Sequence, residues 1–182
     1  MIKSIIRFTS PIKYLLIGFL LFLISSNIVN INGMIVPVNL VRESEITNKC
    51  FISKNLKFLG VSDNKVEKLK EAILIASNAT SIKEELIIAL VKTESEFINN
   101  AVSSKNYKGL MQTPTATFIY SDVDILHGTR ILEDKLRITK GNLLKALTLY
   151  KGGNNNQARK YAKQTLTLYK KLVERNKKEE FI

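Results

Sequence analysis

The chain has 182 residues, 45% of them hydrophobic, with one Cys, one His, and 28 Lys+Arg against 16 Asp+Glu. That length holds one domain of ordinary size plus a short appendage, and the apolar fraction rules out wholesale disorder. A single cysteine excludes a disulfide framework and a Cys-rich zinc site, and a single histidine excludes a His-cluster metal centre. The net charge of +12 calls for an anionic partner: nucleic acid, a lipid surface or an acidic polymer.

Residues 1–13 carry Lys3, Arg7 and Lys13 and no acid, and Tyr14 to Ile24 form an uncharged apolar run. A basic segment followed by a short hydrophobic stretch is the pattern of an export signal. A spanning helix wants about 20 apolar residues, so retention as a signal-anchor is the variant reading. Cleavage is expected after Ser26, with Gly33 as the alternative. The protein is thus expected in the periplasm or cell envelope, held to the membrane if the leader stays. Removing residues 1–26 leaves 25 basic against 16 acidic residues, a charge of +9. Export argues against nucleic acid and favours an anionic envelope surface. Cys50 lies far past the apolar run, which argues against lipoprotein processing, and reads as a buried or inert thiol.

Residues 27–62 show no clear period and read as a short irregular stem. From Asn64 the spacing turns helical, with Val66, Leu69, Ala72, Ile73 and Ala76 on one stripe. The run 78–81 breaks that helix. Ser81 and Glu84 then have capping-box spacing, which predicts a second helix over 82–93. Its continuous apolar stretch, Leu86 to Val91, predicts the central helix of a small α domain. A polar loop over 99–107 follows, and 109–112 is expected to open a short helix ended or re-initiated by Pro114. Further helices are expected over 124–137, over 143–150 with Asn142 as cap, and over 157–176. Eight Gly and three Pro make a turn-rich β fold unattractive. The prediction is a monomeric all-α domain over 63–182, preceded by a signal peptide or signal-anchor over 1–26 and the stem over 27–62.

Glu94 stands out physically. It ends the apolar helix, where the negative end of the macrodipole and apolar walls both disfavour a charged carboxylate. A raised pKa is what a general acid near neutrality needs. An acid at a helix end is more often solvated surface, so the segment needs its neighbours to carry weight.

Those neighbours are Glu94-Ser95 at the helix end, Asn100-Ala101-Val102-Ser103, Gly109-Leu110-Met111-Gln112, Gly128-Thr129-Arg130 and Tyr150-Lys151-Gly152-Gly153. In this order they resemble the soluble lytic transglycosylase (SLT) catalytic domain, in the lysozyme-like superfamily, over about residues 82–172. The resemblance implies cleavage of the MurNAc-β-1,4-GlcNAc bond of peptidoglycan glycan strands, with 1,6-anhydro-MurNAc ends as product. It implies Glu94 as the catalytic carboxyl, acting first as acid and then as base. Ser95 and Gln112 would contact the sugar or that carboxyl, Met111 would line the glycan groove, and the Tyr150 hydroxyl would bond near Glu94. The substrate supplies the nucleophile, so one carboxyl suffices where glycoside hydrolases use two, and no metal or cofactor is implied.

The chain departs from the family pattern in several places. Lys151 stands where the family has Asn, with a substrate peptide carboxylate or N-acetyl group as its expected contact. Glu96 replaces a common Gly and reads as surface. Only 15 residues lie between Gln112 and Gly128, which implies a shortened loop. Two rival readings follow. A lysozyme-like muramidase would need a second acid, with Asp122 and Asp124 as candidates. A non-catalytic peptidoglycan-binding protein would keep the fold without turnover.

Overall fold

The computed structural model describes residues 28–31, 34–114 and 120–179, with side chains over 46–114 and 120–178. The expected export segment lies outside the described residues. Two compact units divide the chain, Met1–Asn48 and Lys49–Ile182. Among the described residues no helix is long and apolar enough to cross a membrane.

In the first unit, β1 (Ile28–Ile31) pairs antiparallel with β2 (Met34–Pro37), Ile28 opposite Pro37 and Ile31 opposite Met34. Next comes α1 (Val38–Phe58). The expectation of an irregular stem over 27–62 is therefore corrected. The β-branched residues on either side of the Asn32-Gly33 dipeptide carry the short-range hairpin signal. The helix escaped notice because polar and charged residues, Arg42 to Glu45 and Thr47 to Lys49, interrupt its apolar period ahead of its C-terminal end. There Ile52, Asn55 and Leu56 are buried, and Ile52 and Leu56 join the core of the second unit. Cys50, expected to be buried or inert, is exposed.

The second unit is a helical assembly around one core. In α2 (Asp63–Asn78) the predicted stripe Val66, Leu69, Ala72, Ile73 and Ala76 is buried, with Asp63 favourably placed in the first turn. The α3 helix (Glu84–Ser95) buries every residue from Leu86 to Val91, as its all-round apolar sequence requires. It packs against α6 (Asn156–Glu179), α2 and α4 (Ser121–Ile138). The α5 helix (Leu143–Tyr150) bridges α4 and α6, and the Asn142 side chain accepts a bond from the Lys145 amide, the predicted cap. A buried polar relay joins three helices: Asn55 on α1 donates to Asn176 on α6, which donates to Glu85 on α3, at 3.0 and 2.8 Å.

Two local expectations fail for identifiable reasons. The capping box at Ser81 does not form, because Glu133 of α4 accepts bonds from both the Ser81 amide and hydroxyl, at 2.7 and 2.9 Å. The charged acceptor wins, and α3 starts at Glu84 with Lys83 as its N-cap. Residues 109–112 do not open a helix either. Gly109 and Gln112 have φ of 81° and 49°, and Lys108 makes isolated antiparallel bridges to Val102 and Thr113. This segment is a tight arch that turns Leu110 and Met111 into the core, where they are 1% and 0% exposed.

Candidate active site

The site forms where the C-terminal end of α3 meets the end of α5 and the first turns of α6. Helix α3 stops because Glu96 and then Phe97 take left-handed backbone, with φ of 52° and 64°. The Glu96 amide still reaches the Lys92 carbonyl, while its side chain points to solvent, as predicted. Left-handed backbone at the residue after a helix is where glycine is favoured, so the structure supplies the reason for the family's Gly at this position. Phe97, by contrast, is buried and locks the chain reversal into the core.

The Glu94 side chain is 1% exposed, so the last turn of α3 delivers a carboxyl into the protein rather than to solvent. Its Oε2 lies 2.5 Å from Nζ of Lys151, the residue that caps the C-terminus of α5. The same ammonium lies 4.5 Å from the ring centroid of Tyr161 on α6, a cation–π arrangement. The Tyr161 hydroxyl also acts on Glu94 and favours its charged form. Behind it, the Thr93 hydroxyl lies 3.2 Å from that of Tyr161 and 3.0 Å from that of Thr165. Burial pushes the Glu94 carboxyl above the usual carboxylate range; the Lys151 charge and hydrogen bond and the Tyr161 hydrogen bond oppose that push without cancelling it. Tyr161 and Tyr150 are both pushed well above the ordinary phenol value, by burial first and then by the nearby Glu94 charge.

The remaining predicted residues are bonded or packed to groups other than this carboxyl. Ser95 is buried and donates its hydroxyl to the Val91 carbonyl at 3.1 Å, a bond within the helix. Gln112 uses its amide nitrogen to tie Ala101 and Gly109 carbonyls together, at 3.1 and 2.9 Å, closing the arch. Met111 is a core residue, fully buried and pressed against Gly128 of α4. The Tyr150 hydroxyl donates to the Met111 carbonyl at 2.8 Å, so its bond is to the arch, and the hydrogen bond to Glu94 comes from Lys151 instead.

Tyr161 was legible only as a member of the inward stripe of the last helix; nothing in its local sequence marks it as a partner of Glu94. Lys151 was legible as a departure from the family motif, but its contact here is Glu94 rather than a substrate group. Asp124, a candidate second acid, is buried in the first turn of α4 and accepts the Leu110 amide at 2.6 Å. Its other oxygen, Oδ1, is buried and accepts no hydrogen bond among the described residues, and burial raises the pKa of the carboxyl. Its carboxylate therefore anchors the arch to α4. Asp122 is exposed.

A helical domain with a carboxyl buried at the end of its central helix is consistent with the fold that the motif resemblance implies. Residues 71–123 match the family model described as the Transglycosylase SLT domain. The matched stretch includes Glu94, Ser95, Met111 and Gln112, while Tyr150, Lys151 and Tyr161 lie beyond it. Over that stretch the match supports the resemblance read from the motifs, and with it a lytic transglycosylase-like function in general. No curated protein matches the chain.

Proposed function

We propose that this protein is a peptidoglycan lytic transglycosylase that cleaves the MurNAc-β-1,4-GlcNAc bond and leaves 1,6-anhydro-MurNAc ends, with Glu94 as general acid and then base. The observation that carries this reading is the carboxyl itself, nearly sealed from solvent and raised in pKa by burial. In its protonated form Glu94 gives its proton to the glycosidic oxygen as the bond to C1 breaks. The resulting carboxylate takes the proton of the muramoyl 6-hydroxyl as that oxygen closes on C1, which restores the acid. Between the two steps Lys151 and the Tyr161 hydroxyl stabilise the carboxylate. Met111, Gln112 and Tyr150 act from behind, by fixing the arch beside Glu94, and Ser95 by fixing the helix end.

The muramidase reading needs a second carboxylate free to activate water. Asp124 is buried and accepts the Leu110 amide, and Asp122 lies on the exposed side of α4, which favours the transglycosylase. The surplus of basic residues fits work on an anionic envelope, with the N-terminal segment directing export to the periplasm or cell envelope.

The test is digestion of purified sacculi with product analysis by mass spectrometry. Muropeptides lighter by one water than the hydrolytic products are expected from the wild type, and Glu94→Gln should release none while still pelleting with sacculi. Reducing-end products would show hydrolysis instead, and digestion by Glu94→Gln would remove Glu94 from the chemistry.

A further inference from the structure

Lys151 places a cation where the family motif has a neutral amide, and its surroundings give that cation one address. It sits at the C-cap of α5, followed by Gly152 and Gly153 with φ of 100° and 128°. A Cβ at either glycine would meet no atom within 4 Å, so the glycines serve the turn into α6 and not a close contact. Held by this turn, the lysine projects across the face of the Tyr161 ring to Oε2 of Glu94. The two partners differ sharply in exposure, 38% for the Lys151 side chain against 1% for Glu94. The ammonium is therefore the solvent-facing cover of a buried carboxyl.

We propose that Lys151 is a positioning residue that clamps the Glu94 carboxylate in its ionised form in the free protein, and so confines the acid-competent state to more acid solution than a neutral side chain at 151 would allow. The proposal rests on the reading of Glu94 as the general acid. Among the described residues, three groups act on or are acted on by Glu94: Lys151 from the end of α5, Tyr161 from α6, and Tyr150 from α5. Both phenols are pushed well above their ordinary range and stay neutral through the working pH, while Asp124 on α4 acts on Tyr150. The lysine is thus the charged group that sets the protonation of the carboxyl against the effect of burial. A general acid works protonated, so activity falls as pH rises through its pKa. Removing an opposing cation leaves burial less opposed, raises that pKa further and carries the alkaline limb upward. An opposite charge in direct contact is worth about one pH unit or more.

The experiment compares wild type, Lys151→Asn, Lys151→Met and Lys151→Arg. The pH dependence of kcat/KM on soluble glycan strands is measured beside a carboxyl-carbon NMR titration of Glu94, assigned by its loss in Glu94→Gln. Both neutral variants should move the alkaline limb and the Glu94 midpoint up by about one pH unit, and Arg should hold both near wild type. The Met variant keeps an apolar stem over Tyr161 and stands in if the Asn variant is poorly folded. Unmoved midpoints in folded neutral variants would overturn the clamp while leaving Glu94 as acid. If Glu94→Gln still digests sacculi, the reading of Glu94 fails, and the NMR midpoints still decide whether Lys151 controls its ionisation.

Discussion

Gly128 offers a direct test of how the arch is held against α4. Glycine in a helix interior usually costs about 1 kcal/mol relative to alanine, so propensity alone predicts that Gly128→Ala stabilises the protein. The structure predicts the reverse. A Cβ at this position would lie 2.4 Å from Cβ of Met111 and 2.8 Å from its Cγ and Cε. Comfortable carbon contacts begin near 3.5 Å, so α4 and the arch must separate by about 1 Å. Rotation of the Met111 side chain relieves the Cγ and Cε contacts but not the contact to Cβ, which moves only with the backbone. Separation stretches the 2.6 Å bond from the Leu110 amide to Asp124, which spans the same two elements. Overpacking of this kind costs about 1–3 kcal/mol, and weakening a buried bond to a carboxylate adds about 1.5 kcal/mol or more. Set against the propensity gain, the net destabilisation is about 1–4 kcal/mol. Urea unfolding followed by far-ultraviolet circular dichroism would measure it, with an unchanged denaturant slope marking an effect on the folded state. Combining the change with Met111→Ala should restore only part of the loss, because the Cβ contact remains. A Gly128→Ala protein as stable as wild type, or more so, would refute the reasoning.

Two further predictions concern the end of α3. Glu96→Gly should stabilise the domain by about 0.5–1 kcal/mol, since relief of left-handed strain outweighs the added freedom of the unfolded chain. The lost partner, Lys92 at 3.7 Å from a 76% exposed glutamate, contributes little to the balance. Glu94→Gln should raise the thermal midpoint at neutral and alkaline pH. The folded-state pKa of Glu94 is raised, so its contribution to stability is complete below the ordinary carboxylate range and is lost as pH rises through the folded value. The gain over wild type should therefore vanish below about pH 4, where both states are protonated. Equal midpoints at pH 8, measured by calorimetry, would mean that the Lys151 pair fully offsets the burial of the carboxylate.

Much of the helical framework was legible along the chain because periodicity reports burial locally. Val66, Leu69, Ala72, Ile73 and Ala76 lie on one face at helical spacing, and that face is buried. Asn142 caps the helix it precedes, since a cap involves residues three positions apart and needs no distant partner. The failures share a different cause. Ser81 and Glu84 have the right spacing for a capping box, yet Glu133, 52 residues away, takes the hydroxyl. The strands at 28–37 and the helix over 38–58 lacked a long apolar period and so passed as a stem.

The candidate site divides along the same line. By itself the sequence determined that a carboxyl ends the central helix, that Gly109-Leu110-Met111-Gln112 follows it, and that Tyr150 and Lys151 precede a glycine pair. Those are properties of residue type and order, and the motif resemblance rests on them. Only the tertiary structure decided what each group touches. Lys151 lies 57 residues from Glu94 and Tyr161 lies on a separate helix, and it is the packing of α3, α5 and α6 that brings both to one carboxyl. Asp124 becomes an anchor for the arch because α4 sets it beside the Leu110 amide. Which carboxyl is buried, and which cation faces it, depends on helices meeting across the core, and no local pattern encodes that distance.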